Sequence, residues 1–403
     1  MNGTRAGRRG GWPAPEVDSK ERPAPLAGLR VLDLSRVLAG PLATMQLADL
    51  GATVIKVELP GAGDITRGWP PFGSDGTSTY TLAVNRGKRS VTADLTSTEG
   101  QGLVRSLALG ADVLVENFLP GRLARFGLDV GELRRANPGL VSATVTGYGR
   151  DGALADRPGF DCLAQAMGGV MAITGTAGGE PTRVGVAIVD VLAGMQLVQG
   201  ILAALTERTR TGRGRDLSVA LLDTAVFSLM NLATMHLVTG RPVERFGNSH
   251  PSITPYETVR VADGVLALAV GTDRQFQRLA RAVDRPHLAD DSRFATNRDR
   301  VTHRAALRAE LERALRSGSR AHWLEVLIAA DVPAAPVNEV AEVFEDPFIR
   351  GRTVVDIDGV PQVRSPLRID DTPLPVRSRP PDLGQHTDEI VSILADESGD
   401  GRA

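Results

Sequence analysis

The 403-residue sequence predicts an α/β protein in which a large domain built on a parallel sheet is joined by a smaller α/β domain. Three observations carry this. Short runs rich in β-branched residues alternate with helically spaced apolar residues along the first half. One long apolar stretch, Val184–Leu205, is broken by Gln196 and Gln199, so it reads as a buried helix and not a membrane span. From about Gly240 the pattern changes to a hairpin followed by charged amphipathic helices.

Taken in order, residues 1–25 are rich in Gly, Pro and charge and read as a disordered tail. Nothing apolar follows Arg8-Arg9, so no export signal is expected. "LRVLDLS" (Leu29–Ser35) is a strand, "GPLATMQLADLG" a helix, and "TVIKVE" (Thr53–Glu58) a second strand, together a β-α-β unit of the parallel kind. "SVTADL" follows, then a helix opened by the capping box Thr96-x-x-Glu99, then the strands "ADVLVENF" and "LVSATVTGYG". After the apolar helix, "TGRGRDLSVALLDTAVFSLMNLATMHL" reads as turn, strand and one helix. These elements define a large domain over 26–225. The small domain, 226–330, holds the hairpin "YETVRVADGVLALAVG", which turns on Ala262-Asp263-Gly264, and the helix "RAALRAELERALRS". Residues 331–403 are Pro-rich and hairpin-like, end in the helix "HTDEIVSILA", and return to the large domain.

Composition removes several function classes. The net charge of −2 and the absence of a Lys/Arg run argue against a nucleic-acid binder. Lysine occurs only at Lys20, Lys56 and Lys88. Cys162 is the single cysteine and the six histidines are scattered, so neither a disulfide framework nor a Cys/His metal site is expected. No permanently bound cofactor, no membrane partner and a cytoplasmic location are the matching expectations.

The first β-α-β unit suggests a dinucleotide enzyme with Glu58 on the ribose. The turn "SRVLAGP" holds only Gly40 where GxGxxG is required, which disfavours NAD. Asp190 stands near the start of the apolar stretch, at what reads as a strand-to-helix junction. An ionised carboxylate there is costly unless partnered. It is either a helix N-cap or a functional group, and Asp223 in "ALLDTAVFSLM" has the same context. "VENFLPGRLARFG" runs from a strand end through Asn117, Phe118 and a Pro120-Gly121 turn to Arg122 and Arg125. That order suits a phosphate-bearing nucleotide, or simply a solvated basic helix start.

Seven ordered motifs make the sequence resemble the family III CoA-transferases, whose members include formyl-CoA and carnitine CoA-transferases and α-methylacyl-CoA racemases. They are "LAGLRVLDLSRVLAGPLATMQLADLGATVIKVE", "GDITRGW", "NRGKRSVTADL", "DVLVENFLPG", "GFDCLAQAMGG", "VDVLAGMQLVQGILAAL" and "LGQHTDEI", spread from about Leu26 to Leu394. The resemblance implies a Rossmann-like large domain and an interlocked homodimer. It implies a coenzyme A thioester and a free carboxylic acid as substrates, and Asp190 as a nucleophile that forms an anhydride and then an aspartyl-CoA thioester. By the same resemblance Val37, Leu38 and Ala39 line the CoA and acyl pocket, and Ala93, Asp94, Leu95 and Thr96 meet the nucleotide. Asn117, Phe118 and Arg125 contact CoA, with Arg125 on its phosphates, and Gly159, Phe160 and Asp161 face the thioester.

Two departures narrow the reading. Phe160 stands where the racemases place an acid–base histidine, and phenylalanine cannot move a proton. Leu38 stands where formyl-CoA transferases have glutamine, and "FGNSHPSITPY" replaces their tetraglycine lid. "GNSHPSITPY" is more similar to the branch that acts on succinyl-CoA and other dicarboxylic acids. An acyl-CoA racemase using other residues and a catalytically silent acyl-CoA-binding protein are the alternatives.

Overall fold

The computed structural model describes residues 12–13 and 24–399. It divides into two compact units. The first runs up to Val170 and includes Val184–Ala233 and the chain from Gly351 onward; the second is Met171–Arg183 with Thr234–Arg350. The small unit thus starts and ends later than the 226–330 read from sequence, and it takes in a short excursion that precedes the apolar helix.

The large unit is organised by six strands: β1 (Arg30–Asp33), β2 (Thr53–Glu58), β3 (Lys88–Thr92), β4 (Val113–Glu116), β5 (Val141–Thr146) and β6 (Asp216–Ala220). They pair in the order β3-β2-β1-β4-β5-β6, every pair parallel, as in a doubly wound Rossmann sheet. The helices that matter below are α1 (Ala39–Asp49), α2 (Thr98–Gly110), α3 (Arg122–Arg125), α4 (Asp161–Met167), α5 (Ile188–Thr211), α6 (Leu221–Ser228) and α7 (Met230–Thr239).

Side chains one apart on a strand point to opposite faces, and here both faces are covered. Val31, Val54 and Val113 pack into the cluster that contains Ala43 and Leu47 of α1 and Ala193, Leu197 and Ile201 of α5. Their neighbours Leu32, Ile55 and Leu114 pack the other way, with Val104 and Leu107 of α2. The apolar stretch is therefore a core helix, although it buries one broad face only and leaves Met195 46% exposed. Its polar breaks have work to do: Gln196 accepts the Thr224 hydroxyl of α6.

Several local expectations change. Helix α2 is capped by Ser97, which accepts Gly100 N–H, because the Thr96 hydroxyl is taken by Asp94. The single helix expected over "LLDTAVFSLMNLATMHL" is interrupted after Ser228, where Met230 takes a φ of 46°. No strand leads directly into α5. Trp12, inside the expected tail, is 5% exposed and its indole N–H donates to Leu107 O at 3.2 Å. The rest of that tail, apart from Pro13, Ala24 and Pro25, lies outside the described residues.

In the small unit, β7 (Tyr256–Arg260) and β8 (Val265–Ala269) form the expected hairpin with Arg260 opposite Val265, and β9 (Ala334–Pro336) adds to β8. The amphipathic helix α8 (Arg304–Leu315) contributes Leu307 and Leu311 to a core with Val259, Leu266 and Phe276. The C-terminal segment carries the hairpin β10 (Val354–Ile357) and β11 (Val360–Val363), then α9 (Thr387–Gly399), whose Ile390 packs with Leu107 and Leu114.

Candidate active site

In a doubly wound sheet, ligands bind beyond the carboxyl ends of the strands where the order reverses, here between β1 and β4. The turn after β1 folds tightly back into α1. A Cβ on Gly40 would lie 2.3 Å from that of Ser35, so only glycine lets the helix start on top of the turn. Val37 takes a φ of 71°. Among the described non-glycine residues in this region five are aspartates, which tolerate it, whereas valine is branched at Cβ and does not.

Two side chains hold this turn. Asn117, at the end of β4, accepts Arg36 N–H at 3.0 Å and donates to Arg36 O at 2.8 Å. Asp64 accepts Val37 N–H at 3.1 Å. Behind them lies a buried ionic network. Lys56 donates to Ser35 O at 2.7 Å and to Asp64 at 3.1 Å. Glu58 accepts a bidentate Arg67 pair, the Ser90 hydroxyl and Asp64 N–H. Lys88 donates to Asp33, whose carboxylate also receives Ser35 and Thr44. Burial alone would push Asp33 up, yet Lys88 and Lys56 hold it at about 2. Burial also opposes ionisation of Glu58 and Asp64, and the adjacent Arg67 and Lys56 outweigh it, leaving both below the usual carboxylate range. Glu58 is thereby fully engaged within the protein and is not free to take a ribose.

Asp190 lies in the first turn of α5 but is not its cap. The N-cap position is Ala187, and the capping carboxylate comes from Asp161, which accepts Val189 N–H at 2.8 Å and Asp190 N–H at 3.3 Å. The other Asp161 oxygen takes Gln165 Nε2 at 2.7 Å, and Gln165 Oε1 accepts Val184 N–H. Asp190 is half-buried, and among the described residues no side chain hydrogen-bonds its carboxylate. Burial first, and the Asp161 charge second, push its pKa up to about 7. Burial therefore outweighs the favourable position of the Asp190 carboxylate near a helix N-terminus. Asp223 is exposed and makes no capping bond on α6, so neither aspartate is the cap that spacing allowed.

Two clefts of about 340 and 390 Å³ meet here, with Arg36, Ile65 and Phe118 in the walls of both. The first contains Asp190 and places around it Val37, Leu38, Ala39, Asn117, Gly159 and Phe160 from the expected set. Gly147 and Gly159 touch backbone to backbone in its wall, where a Cβ on either would fall within 2.5 Å of the other's Cα. The second is lined by Ala93, Asp94, Leu95, Thr96 and Phe118. Three expectations shift. Asp161 lies buried beneath the cleft and not in its lining. Asn117 lines the cleft, but its amide group is engaged with Arg36. Arg125, at the end of α3, is exposed and outside both linings.

Arg36, which the sequence reading did not single out, brings its guanidinium 4.7 Å from the Phe118 ring centroid at the junction of the clefts. Its only sequence signal was adjacency to Val37. Trp69 and Ile65 complete the apolar wall around Asp190. Trp69 stacks edge-on against Tyr80, and its carbonyl accepts the Ser78 hydroxyl.

Residues 26–387 match the family model described as CoA-transferase family III. The chain is 43% identical over 390 residues to a succinate–glutarate CoA-transferase of Agrobacterium fabrum, covering 94% of this chain and 98% of that one. It is 38% identical over 395 residues to the mouse succinyl-CoA:glutarate CoA-transferase, covering 96% and 90%. The crystal structure of a CAIB/BAIF family protein from Brucella suis superposes with a TM-score of 0.85 at 44% identity, covering 93% of this chain and all of that one.

Proposed function

Because the chain belongs to family III of the CoA-transferases, we propose that it moves CoA from succinyl-CoA to a second dicarboxylic acid, with Asp190 as the covalent nucleophile. The observation that carries this is a carboxylate with no side-chain hydrogen bond among the described residues, placed in an otherwise largely apolar cleft at the switch point of the sheet. The names of the relatives, which specify glutarate, support a dicarboxylic acceptor.

The Asp190 carboxylate attacks the thioester carbonyl and expels the CoA thiolate, leaving a mixed anhydride. The thiolate then attacks the aspartyl carbonyl and releases the donor acid, giving an aspartyl-CoA thioester. An acceptor carboxylate repeats the two steps in reverse, and Asp190 is regenerated with no net uptake of water or protons. Leu38, Ile65, Trp69, Phe160 and Leu221 form apolar walls that limit hydrolysis of the anhydride. The nucleotide lies along the second cleft, between Ala93–Thr96 and Phe118, with Arg36 on its phosphates. Two chains pair as an interlocked homodimer, and no permanent cofactor takes part.

Incubation with succinyl-CoA and glutarate, followed by mass spectrometry, should yield glutaryl-CoA. Hydroxylamine or borohydride added during turnover should modify Asp190, and Asp190→Ala should be inactive. Activity above roughly a thousandth of wild type in Asp190→Ala excludes covalent catalysis there. Deuterium entering the α-position of a 2-methylacyl-CoA at a rate comparable to turnover would instead establish the racemase reading. Phe160, which cannot move a proton, argues against it.

A further inference from the structure

We propose that Asp64 is a positioning residue for transfer: its carboxylate holds Val37 in the left-handed conformation that shapes the wall of the Asp190 cleft. Two consecutive amides of the turn, those of Arg36 and Val37, are captured by side chains from the segments that follow two different strands, Asn117 after β4 and Asp64 after β2. The Asn117 amide holds the Arg36 carbonyl, which shares one peptide group with the Val37 N–H, and Asp64 holds that N–H on the opposite edge. Gripped on both edges, the plane cannot turn as a move of Val37 to negative φ requires; held by Asn117 alone, it can pivot about the Arg36 carbonyl.

Asp64 is suited to this because it is itself fixed from several sides. It is 2% exposed, its carboxylate accepts Thr66 N–H and the Thr66 hydroxyl, and it pairs with Lys56, which also holds Ser35 O. Its own N–H is held by Glu58. A β-branched residue persists at positive φ only when its surroundings over-determine it. Without the Asp64 oxygen, Val37 relaxes toward negative φ, and the peptide planes on either side rotate. Those planes carry Arg36 to the junction of the two clefts and Leu38 and Ala39 into the one that holds Asp190. One residue therefore sets both the CoA-facing and the reacting wall.

Glycine adopts φ near 71° without the Cβ penalty, so Val37→Gly should remove most of the need for Asp64. We expect Asp64→Ala to lower kcat/KM for succinyl-CoA and glutarate by roughly 10- to 100-fold, the loss matching the strain of one such residue. Val37→Gly in the Asp64→Ala background should recover activity to within a few-fold of Val37→Gly alone, which a general structural role for Asp64 would not allow. A double variant as impaired as Asp64→Ala, or an Asp64→Ala of wild-type activity, overturns the proposal. The activity arm rests on the function proposed above. Urea midpoints of the same four proteins test the coupling without any substrate. Asp64→Ala should lower the midpoint less in the Val37→Gly background, and additive midpoints would refute the coupling even where the wild type transfers no CoA. If Asp64→Ala does not fold, Asp64→Leu, which also removes the acceptor oxygen but keeps more of the side-chain volume, replaces it in the cycle.

Discussion

The chemistry of this chain turns on how its carboxylates are solvated. Asp33, Asp64 and Glu58 are buried and matched with cations, whereas among the described residues the charge that acts on Asp190 is the like charge of Asp161. A basic carboxylate is a better nucleophile but must be deprotonated to act, so kcat/KM should fall as pH drops through about 7. A profile flat from pH 5.5 to 8.5 would exclude Asp190 as the titrating nucleophile. The same shift bears on stability. The folded pKa lies above the unfolded one, so the folded state binds more protons between pH 4 and 7, and stability declines across that window as pH rises. Asp190→Asn should therefore be more stable than wild type at pH 8, by about 1–2 kcal/mol given partial solvent access, and equal to it near pH 4. Arg36→Ala should raise KM for the acyl-CoA several-fold and weaken its salt dependence, because only the side chain is lost and the backbone clamp to Asn117 stays. Arg125→Ala should change KM less; the reverse order would return the phosphates to α3.

At the scale of elements, the strands and helices of the large unit were legible because alternation and helical spacing are local properties. Thr53–Glu58 is the clearest case, predicted and found with the same ends. Beyond local details such as the Ser97 cap and the break at Met230, what escaped depends on residues distant in sequence. The cap of α5 comes from Asp161, 28 positions from the Val189 amide it accepts, so spacing around Asp190 could not reveal it. The Asp64 bond to Val37 spans 27 positions and was invisible for the same reason. The cap and the proposed nucleophile are consequently two different aspartates. Asp161→Asn should move the acid limb of the pH–rate profile to lower pH by removing the like charge, and should cost about 1 kcal/mol through the weakened cap. A stability loss with no movement of the profile would leave Asp161 a structural cap only.

For the whole molecule, the sheet order placed the site, while the division into units had to be seen in three dimensions. Met171–Arg183 belongs with residues beyond Thr234, which no composition shift announces. Trp12 is a second example: its surroundings are polar and Pro-rich in sequence, yet it packs with Leu107, Leu128 and Leu133. Trp12→Ala should lower stability by about 3 kcal/mol in a urea titration, with kcat/KM unchanged, and an unaltered midpoint would show that the contact contributes nothing in solution.

The pairing of Lys56 and Lys88 beneath the site also has a practical outcome. Both are essentially inaccessible, at 1% and 2% exposure, and Lys20 is the only other lysine in the chain. Burial, partly offset by Asp33, leaves Lys88 with a pKa of about 8, so access and not protonation is what shields it in mildly alkaline buffer. Acylating reagents should therefore react at these two amines only as the sheet opens. Peptide mapping after timed exposure to an N-hydroxysuccinimide ester turns the pair into a clock for global opening: the two sites should label together, and more slowly when a CoA ester occupies the cleft above them.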